Sequence, residues 1–244
     1  MTADGWTQAV RQQLGLGRLL PLGGPRDGAW IAEGAAGAVL RRDVREVSGV
    51  RLGPLRIAPA DPEGVHEPAV PPPPSALSPG PLRVTADFAA ATPSEPLPTV
   101  ASRLRAALAT AAERLGLAVT EIDLRVTALL DELPEPETGA PPEPPEAAPE
   151  APAAPRGDEA RIAAAALAVP GVSRLTGILG GLGRAVHVEE RADGTAALPR
   201  RHARLEIAVR AEHRALDVAL AVRTAVSEAL SDHPTVTVLV TTVD

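Results

Sequence analysis

The stretch that decides how this chain is organised runs Glu132-Leu-Pro-Glu-Pro-Glu-Thr-Gly-Ala-Pro-Pro-Glu-Pro-Pro-Glu-Ala-Ala-Pro-Glu-Ala-Pro-Ala-Ala-Pro155. Apart from Leu133 it lacks the large apolar side chains that a core requires, and its prolines interrupt helices and strands. Residues 132–157 contain six Glu and one Arg, a net charge of −5. We expect a disordered acidic linker, which in the extended polyproline II form spans about 70 Å.

The chain on either side of this linker predicts the same unit twice. Residues 28–131 and residues 158–244 each indicate a helix, a turn, two strands, a longer helix and a final strand. The corner Val47-Ser-Gly-Val50 of the first copy corresponds to Val169-Pro-Gly-Val172 of the second, which indicates an internal duplication. Helices on one side of a small sheet predict an α+β fold, a two-layer α/β sandwich, for each copy.

Four parts follow from this organisation. We predict an N-terminal segment of residues 1–27, a first domain of residues 28–131, the linker of residues 132–157, and a second domain of residues 158–244. In the N-terminal segment, Trp6, Val10 and Leu14 lie on one stripe of a short helix. That helix either packs on the first domain or docks on a partner or a membrane surface.

Periodicity places the main elements of the first copy. The run Ala29–Leu40 predicts the opening helix, with Ile31 on its apolar face. A longer helix begins at Pro96 and ends at Gly116, a residue type that commonly follows the last helical turn. Val119–Val126 alternates apolar and polar residues, which predicts a closing strand with one apolar face.

Composition excludes several classes of chemistry. The 244 residues include no cysteine, and all 24 basic residues are arginine. Disulfides, thiolate nucleophiles, lysine Schiff bases and phosphate-loop lysines are therefore excluded. The net charge is −7, but the two predicted domains carry only −2 and −1. Near-neutral domains have no general attraction to polyanions, which disfavours nucleic acid as a partner.

The start of the chain and its hydropathy indicate a cytoplasmic protein. Met1-Thr-Ala-Asp-Gly-Trp6 lacks the basic start and the apolar run of a signal peptide. The most apolar windows, Ile162–Val169 and Val236–Val243, are much shorter than a membrane span of about 20 residues. We expect any association with a membrane to be peripheral and made through a partner.

The second copy resembles a known family. Its opening, Ala163-Ala-Ala-Ala-Leu-Ala-Val-Pro-Gly-Val172, is similar to the alanine-rich helix and Val-Pro-Gly-Val corner of the bacterial alkaline-shock and general-stress envelope response proteins. In that family a glycine-containing turn, two strands, an amphipathic helix and a valine-rich strand follow. The corresponding segments here are Gly183–Val188, Leu205–Val209, Val218–Leu230 and Val236–Val243.

The first copy resembles the family more loosely, because its corner has serine for proline and its loop Pro59–Pro81 is long and proline-rich. The resemblance implies a non-enzymatic scaffold or adaptor of the bacterial envelope stress response. Such a protein would act through protein–protein contacts and self-association. The resemblance also implies a separate protein that anchors it at the membrane.

Gly180-Gly-Leu-Gly183, followed by Arg184, suggests an alternative function. In KH domains a four-residue loop of this kind joins two helices and clamps the backbone of RNA or DNA. A KH-like nucleic-acid-binding module using Gly180, Gly183 and Arg184 is therefore the second hypothesis. The other interpretation is a flexible turn from a helix to a strand that uses the conformational freedom of glycine.

Arg200-Arg-His-Ala-Arg204 is the densest basic cluster. Arg200, Arg201 and Arg204 could bind a phosphate or an acidic segment, including this chain's own linker. A solvated strand entry is the alternative.

No group of residues predicts catalysis, a cofactor or a metal ion. Between His187, His202 and His213 the spacings of 15 and 11 are unlike those of metal ligands. The Gly-x-Ser-x-Gly turn of a serine nucleophile is also missing. An enzyme is therefore the third hypothesis, and we expect no catalytic, cofactor-binding or metal-binding residues.

Overall fold

The computed structural model describes residues 17–64, 66–91, 95–130, 157–178, 184–191 and 200–244. The predicted N-terminal helix and the linker, apart from Gly157, lie outside these ranges. Within them the chain forms four helices and nine strands, which confirms the α+β class. The elements are β1 (Leu19–Leu22), β2 (Ala29–Ala32), α1 (Glu33–Val44), β3 (Val50–Pro59), β4 (Leu82–Ala91), α2 (Leu97–Leu115), β5 (Val119–Leu130), α3 (Asp158–Leu167), β6 (Val172–Leu175), β7 (Val186–Arg191), β8 (Arg200–Val209), α4 (Ala215–Ala229) and β9 (Thr235–Val243).

The strands form two sheets with related topology. The small sheet has the order β3-β4-β5, with β4 antiparallel to β3 and parallel to β5. The large sheet has the order β1-β2-β9-β8-β6, and β7 also pairs with β8. In it, β8 is antiparallel to β6 and β7 and parallel to β9. In both repeats the last helix is therefore followed by a strand that lies parallel to the strand before that helix: β5 beside β4, and β9 beside β8.

The two repeats share one core, and strand β2 of the first repeat joins the sheet of the second. Strand β2 precedes the first helix of the first repeat, yet it pairs in parallel with β9 of the second. The amide of Gly23 donates to the carbonyl of Gly116 at 2.9 Å, and Arg214 donates to the carbonyl of Glu113 at 3.0 Å. One continuous apolar cluster includes buried residues of both sheets and all four helices. Sharing this cluster removes from water the apolar surface that each small repeat would leave exposed alone.

The beginning of the first repeat differs from the prediction. Ala29–Ala32 is a strand, and helix α1 begins only at Glu33. In a strand, Trp30 and Ile31 point to opposite faces of the sheet, and both are buried. Burial on both faces explains why an unbroken apolar run was mistaken for part of a helix.

Helix α2 follows the predicted pattern. Val100, Leu104 and Leu108 are spaced by four residues and are buried in the shared core. The last helical residue is Leu115. Gly116 follows as the C-terminal cap, as predicted, with a φ of 89°. Within the described ranges, no helix has both the length and the apolar character needed to cross a membrane.

The proline-rich loop between β3 and β4 covers the back face of the large sheet, which we define as the face turned away from the helices. The indole of Trp30 donates to the carbonyl of Leu77 at 3.2 Å, and the hydroxyl of Thr237 donates to the carbonyl of Pro71 at 3.1 Å. The loop thus buries a second, smaller apolar cluster. Its members are Leu19, Trp30, Ala32, Val70 and Leu239.

Candidate functional site

Strand β5 forms an open edge of the small sheet. Among the described residues β4 is its only strand partner, and the carbonyl of Ile122 accepts one hydrogen bond from the side chain of Arg105 at 3.3 Å. An unpaired strand side presents a row of backbone N–H and C=O groups to which another strand can bind. Val126 is 41% exposed and Leu129 is 54% exposed, so apolar side chains accompany this open side.

The other sheet edges are less suited to pairing. On the opposite side of the small sheet, β3 contains Gly53 and Pro54, and its register shifts between Leu52 and Leu55. Proline and a bulge are common means of protecting an edge strand. In the large sheet, the main chain of Leu19 in β1 already bonds the proline-rich loop, because Leu77 donates to its carbonyl at 2.9 Å. At the far side β6 and β7 are only four and six residues long.

The two faces of β5 differ in chemistry. Ile122, Leu124 and Val126 pair in register with Val84, Ala86 and Phe88 of β4, whose side chains are buried in the core. The first two are partly buried against the core, and exposure increases toward the end of the strand.

The opposite face of β5 is polar and carries Glu121, Asp123 and Arg125. Arg125 donates two hydrogen bonds to Asp87 at 2.9 and 2.7 Å, and this contact holds the pKa of Asp87 below its ordinary value. Arg83 lies 2.5 Å from Glu121 and 3.7 Å from Asp123. These side chains form an exposed ladder of alternating charge across β4 and β5.

The structure separates the basic residues that the sequence groups together. Arg200 is exposed at the start of β8. Arg201 points to the other face, where it bonds Asp158 at 2.8 Å and Asp232 at 3.3 Å. Arg204 lines a cavity on the back face, and Arg184 is exposed just before β7. The alternation of a strand explains the separation, because neighbouring residues face opposite sides.

Gly180 and Gly183 lie outside the described residues. The described elements that precede and follow them in the chain are the strands β6 and β7, whereas the loop of a KH domain lies between two helices. The observation that would favour a nucleic-acid clamp, a helix on each side of the loop, is therefore missing from the described elements.

The histidines of the second repeat are dispersed. His202 is buried and its Nδ1 lies 2.8 Å from the hydroxyl of Thr235. His187 is partly buried beside Arg204 on the neighbouring strand. Burial lowers the pKa of His187, and the positive charge of Arg204 lowers it further. In the described part of the chain, no three His, Asp or Glu side chains are arranged to hold a metal ion.

No protein-family model matches the chain, and no curated protein or solved structure is significantly similar to it.

The open edge was not singled out from the sequence. The alternation of Val119–Val126 predicts a strand with one apolar face, but it does not show which strand sides remain unpaired. Two features could have indicated it: the closing strand continues to Leu130, and it contains neither proline nor glycine.

Proposed function

We propose that this protein is a non-enzymatic scaffold that self-associates by pairing strand β5 with β5 of a second copy. The observation that carries the proposal is the contrast between edges: β5 is twelve residues long, contains neither proline nor glycine, and pairs with β4 without a register shift from Glu121 to Val126, whereas the other described edges are short, covered or interrupted by proline. Addition of a strand to an open sheet edge is a common mode of protein recognition.

Charge selects one register for antiparallel pairing of two identical strands. With Leu124 opposite Leu124 of the second copy, Asp123 of each chain faces Arg125 of the other. Shifting the centre to Arg125 would place two guanidinium groups together, and shifting it to Asp123 would place two carboxylates together. Like charges directly opposite destabilise a strand pair, so the register centred at Leu124 is favoured over these two neighbouring registers.

The same register matches the apolar face. Ile122 of one chain lies opposite Val126 of the other, so the exposed side of Val126 is covered by an aliphatic partner. Because odd residues face odd residues and even face even, the polar and apolar faces continue across the junction without a break. Two three-stranded sheets would thereby become one six-stranded sheet.

The resemblance of the second repeat to the envelope stress family supports a cellular setting for this scaffold. In this proposal the protein is cytoplasmic and reaches the envelope through a separate membrane-anchored protein. Fractionation of cells with and without candidate anchor proteins tests this part, because loss of the right anchor should move the chain from the membrane fraction to the soluble fraction.

Self-association is tested by sedimentation velocity over a concentration series. We expect the wild-type chain to form dimers and Arg125→Glu to dissociate at least about fivefold more readily, because two attractive contacts per dimer become repulsive. Asp123→Arg should have the same effect. The double variant Asp123→Arg/Arg125→Glu should regain association, since each chain then presents the opposite charge at both positions.

Arg51→Glu is the matched control. Arg51 lies on β3, at the far side of the same sheet, and is also exposed. This substitution makes the same change of charge without touching β5, so it should leave the dimer intact. A wild-type chain that sediments as a monomer throughout, or single charge reversals that change nothing, would overturn the proposal.

A further inference from the structure

A cavity of about 190 Å³ lies on the back face of the large sheet, between the sheet and the proline-rich loop. Polar and apolar groups contribute about equally to its walls, and the lining includes one cation and one hydroxyl-bearing residue. The lining residues are Gly17, Leu19, Pro73, Pro74, Ser75, Arg204 and Leu239. This volume is below the range of about 300–1,000 Å³ that is usual for drug-sized ligands, so any occupant is small.

Arg204 is the unusual member of this lining. Many other described arginines form ion pairs with a carboxylate. No carboxylate of the described residues lies within 4.0 Å of the Arg204 side chain. Its Nε is buried and has no hydrogen-bond acceptor among the residues that the structure describes. A guanidinium charge with little water around it is costly, and an anion in the cavity that Arg204 lines would offset this charge.

The loop opposite Arg204 holds a second unusual feature. Ser75 has a φ of 65°, a conformation that residues other than glycine seldom adopt. The loop is nevertheless fixed at and after Ser75, because the amide of Leu19 donates to the carbonyl of Ser75 at 3.4 Å and Leu77 donates to the carbonyl of Leu19 at 2.9 Å. Strained residues held by their surroundings are frequent at ligand sites.

We propose that this cavity binds a carboxylate group on a short aliphatic stem, with Arg204 as its counter-ion. The planar guanidinium matches the two oxygens of a carboxylate, and Leu19, Pro73 and Leu239 offer apolar surface for the stem. Two sources have this chemistry: a free short-chain acid, and a glutamate side chain of the chain's own acidic linker.

Sodium butyrate is the probe, and butyramide is the uncharged control of nearly the same shape. Binding is followed by NMR titration of the His187 ring, assigned with a His187→Gln variant. We expect saturable shifts with butyrate and none with butyramide. The bound anion should also raise the pKa of His187, because it offsets the charge of Arg204 that lowers this pKa.

Variants of two arginines on β8 locate the site. Arg204→Gln should weaken butyrate binding at least about tenfold, since a charge-assisted contact is lost. Arg204→Lys, which retains the charge but not the planar fork, should bind with intermediate affinity. Arg200→Gln removes an exposed arginine from the same strand and should bind butyrate as the wild type does.

The source is identified with a chain in which the linker glutamates are changed to glutamine. These residues are Glu132, Glu135, Glu137, Glu143, Glu146 and Glu150. Equal binding of butyrate to this chain and to the wild type supports a free acid as the ligand. Binding that appears or tightens only after neutralisation supports a linker glutamate as the occupant. No saturable binding to either chain, or binding that survives Arg204→Gln unchanged, would overturn the proposal.

Discussion

Gly116 ends helix α2 and also leaves room for the second repeat. Its φ of 89° is unfavourable for any other residue, and a β-carbon there would lie 2.3 Å from Cβ of Leu216. We predict that Gly116→Ala lowers the free energy of unfolding by at least about 2 kcal/mol, because backbone strain and a steric clash add. Urea denaturation measures this change.

Gly49 provides the control for Gly116. It has a similar φ of 75°, but a β-carbon there would meet no atom within 4 Å. Gly49→Ala should therefore show the cost of the backbone conformation alone, about 1 kcal/mol. Equal losses for the two variants would mean that the contact between Gly116 and Leu216 has no energetic effect.

The sequence alone predicts only part of the role of Gly116. The glycine after an amphipathic run indicates a helix end, and the structure confirms it at Gly116. The contact with Leu216 could not be predicted, because it joins residues from different repeats. Arg204 is a similar case, since its position in a basic cluster does not show that it lines a cavity.

At the scale of elements, Arg223 of helix α4 connects the second repeat to the loop before β2. Its guanidinium donates to the carbonyls of Val236 at 2.9 Å, Arg26 at 3.1 Å and Asp27 at 2.5 Å. We predict that Arg223→Met destabilises the protein by about 2–4 kcal/mol, because partly buried carbonyls lose charged donors. Hydrogen exchange should quicken first in β1 and β2.

Arg210→Met is the matched comparison for Arg223→Met. Arg210 is exposed at the end of β8, and no described residue accepts a hydrogen bond from its side chain. This variant should leave stability and the exchange rates of β1 and β2 unchanged. Equal exchange in both variants would show that Arg223 does not hold these strands.

Elements were predictable where their pattern is local. The four-residue spacing of α2 and the alternation of β5 depend only on neighbours in the chain, and both elements were located correctly. Partners were not predictable: Ala29 pairs with Val238, 209 positions later. The same limit explains why the pattern of Ala29–Ala32 predicts the start of a helix, since pairing with β1 and β9 makes this short run a strand.

At the scale of the whole molecule, the shared sheet and core predict that the repeats stay together without the linker. A protease site inserted between Gly139 and Ala140 allows the chain to be cut there. The two fragments should still elute together in gel filtration, because β2 remains paired with β9 and the apolar cluster spans both repeats. They should separate only in denaturant. Fragments that separate in buffer would instead indicate two independent domains.

The most direct test of the central proposal is disulfide cross-linking of a Leu124→Cys variant under mild oxidation. The chain contains no cysteine, so a single one reports only on contacts between copies. Directly opposed residues of an antiparallel pair have Cα atoms about 4.5–5.5 Å apart, within the range of a disulfide.

Thr120→Cys is the control, because in this register Thr120 faces residue 128 and lies far from its own copy. We predict covalent dimers from Leu124→Cys and none from Thr120→Cys. Failure of Leu124→Cys to cross-link, or equal cross-linking of both, would contradict pairing through β5.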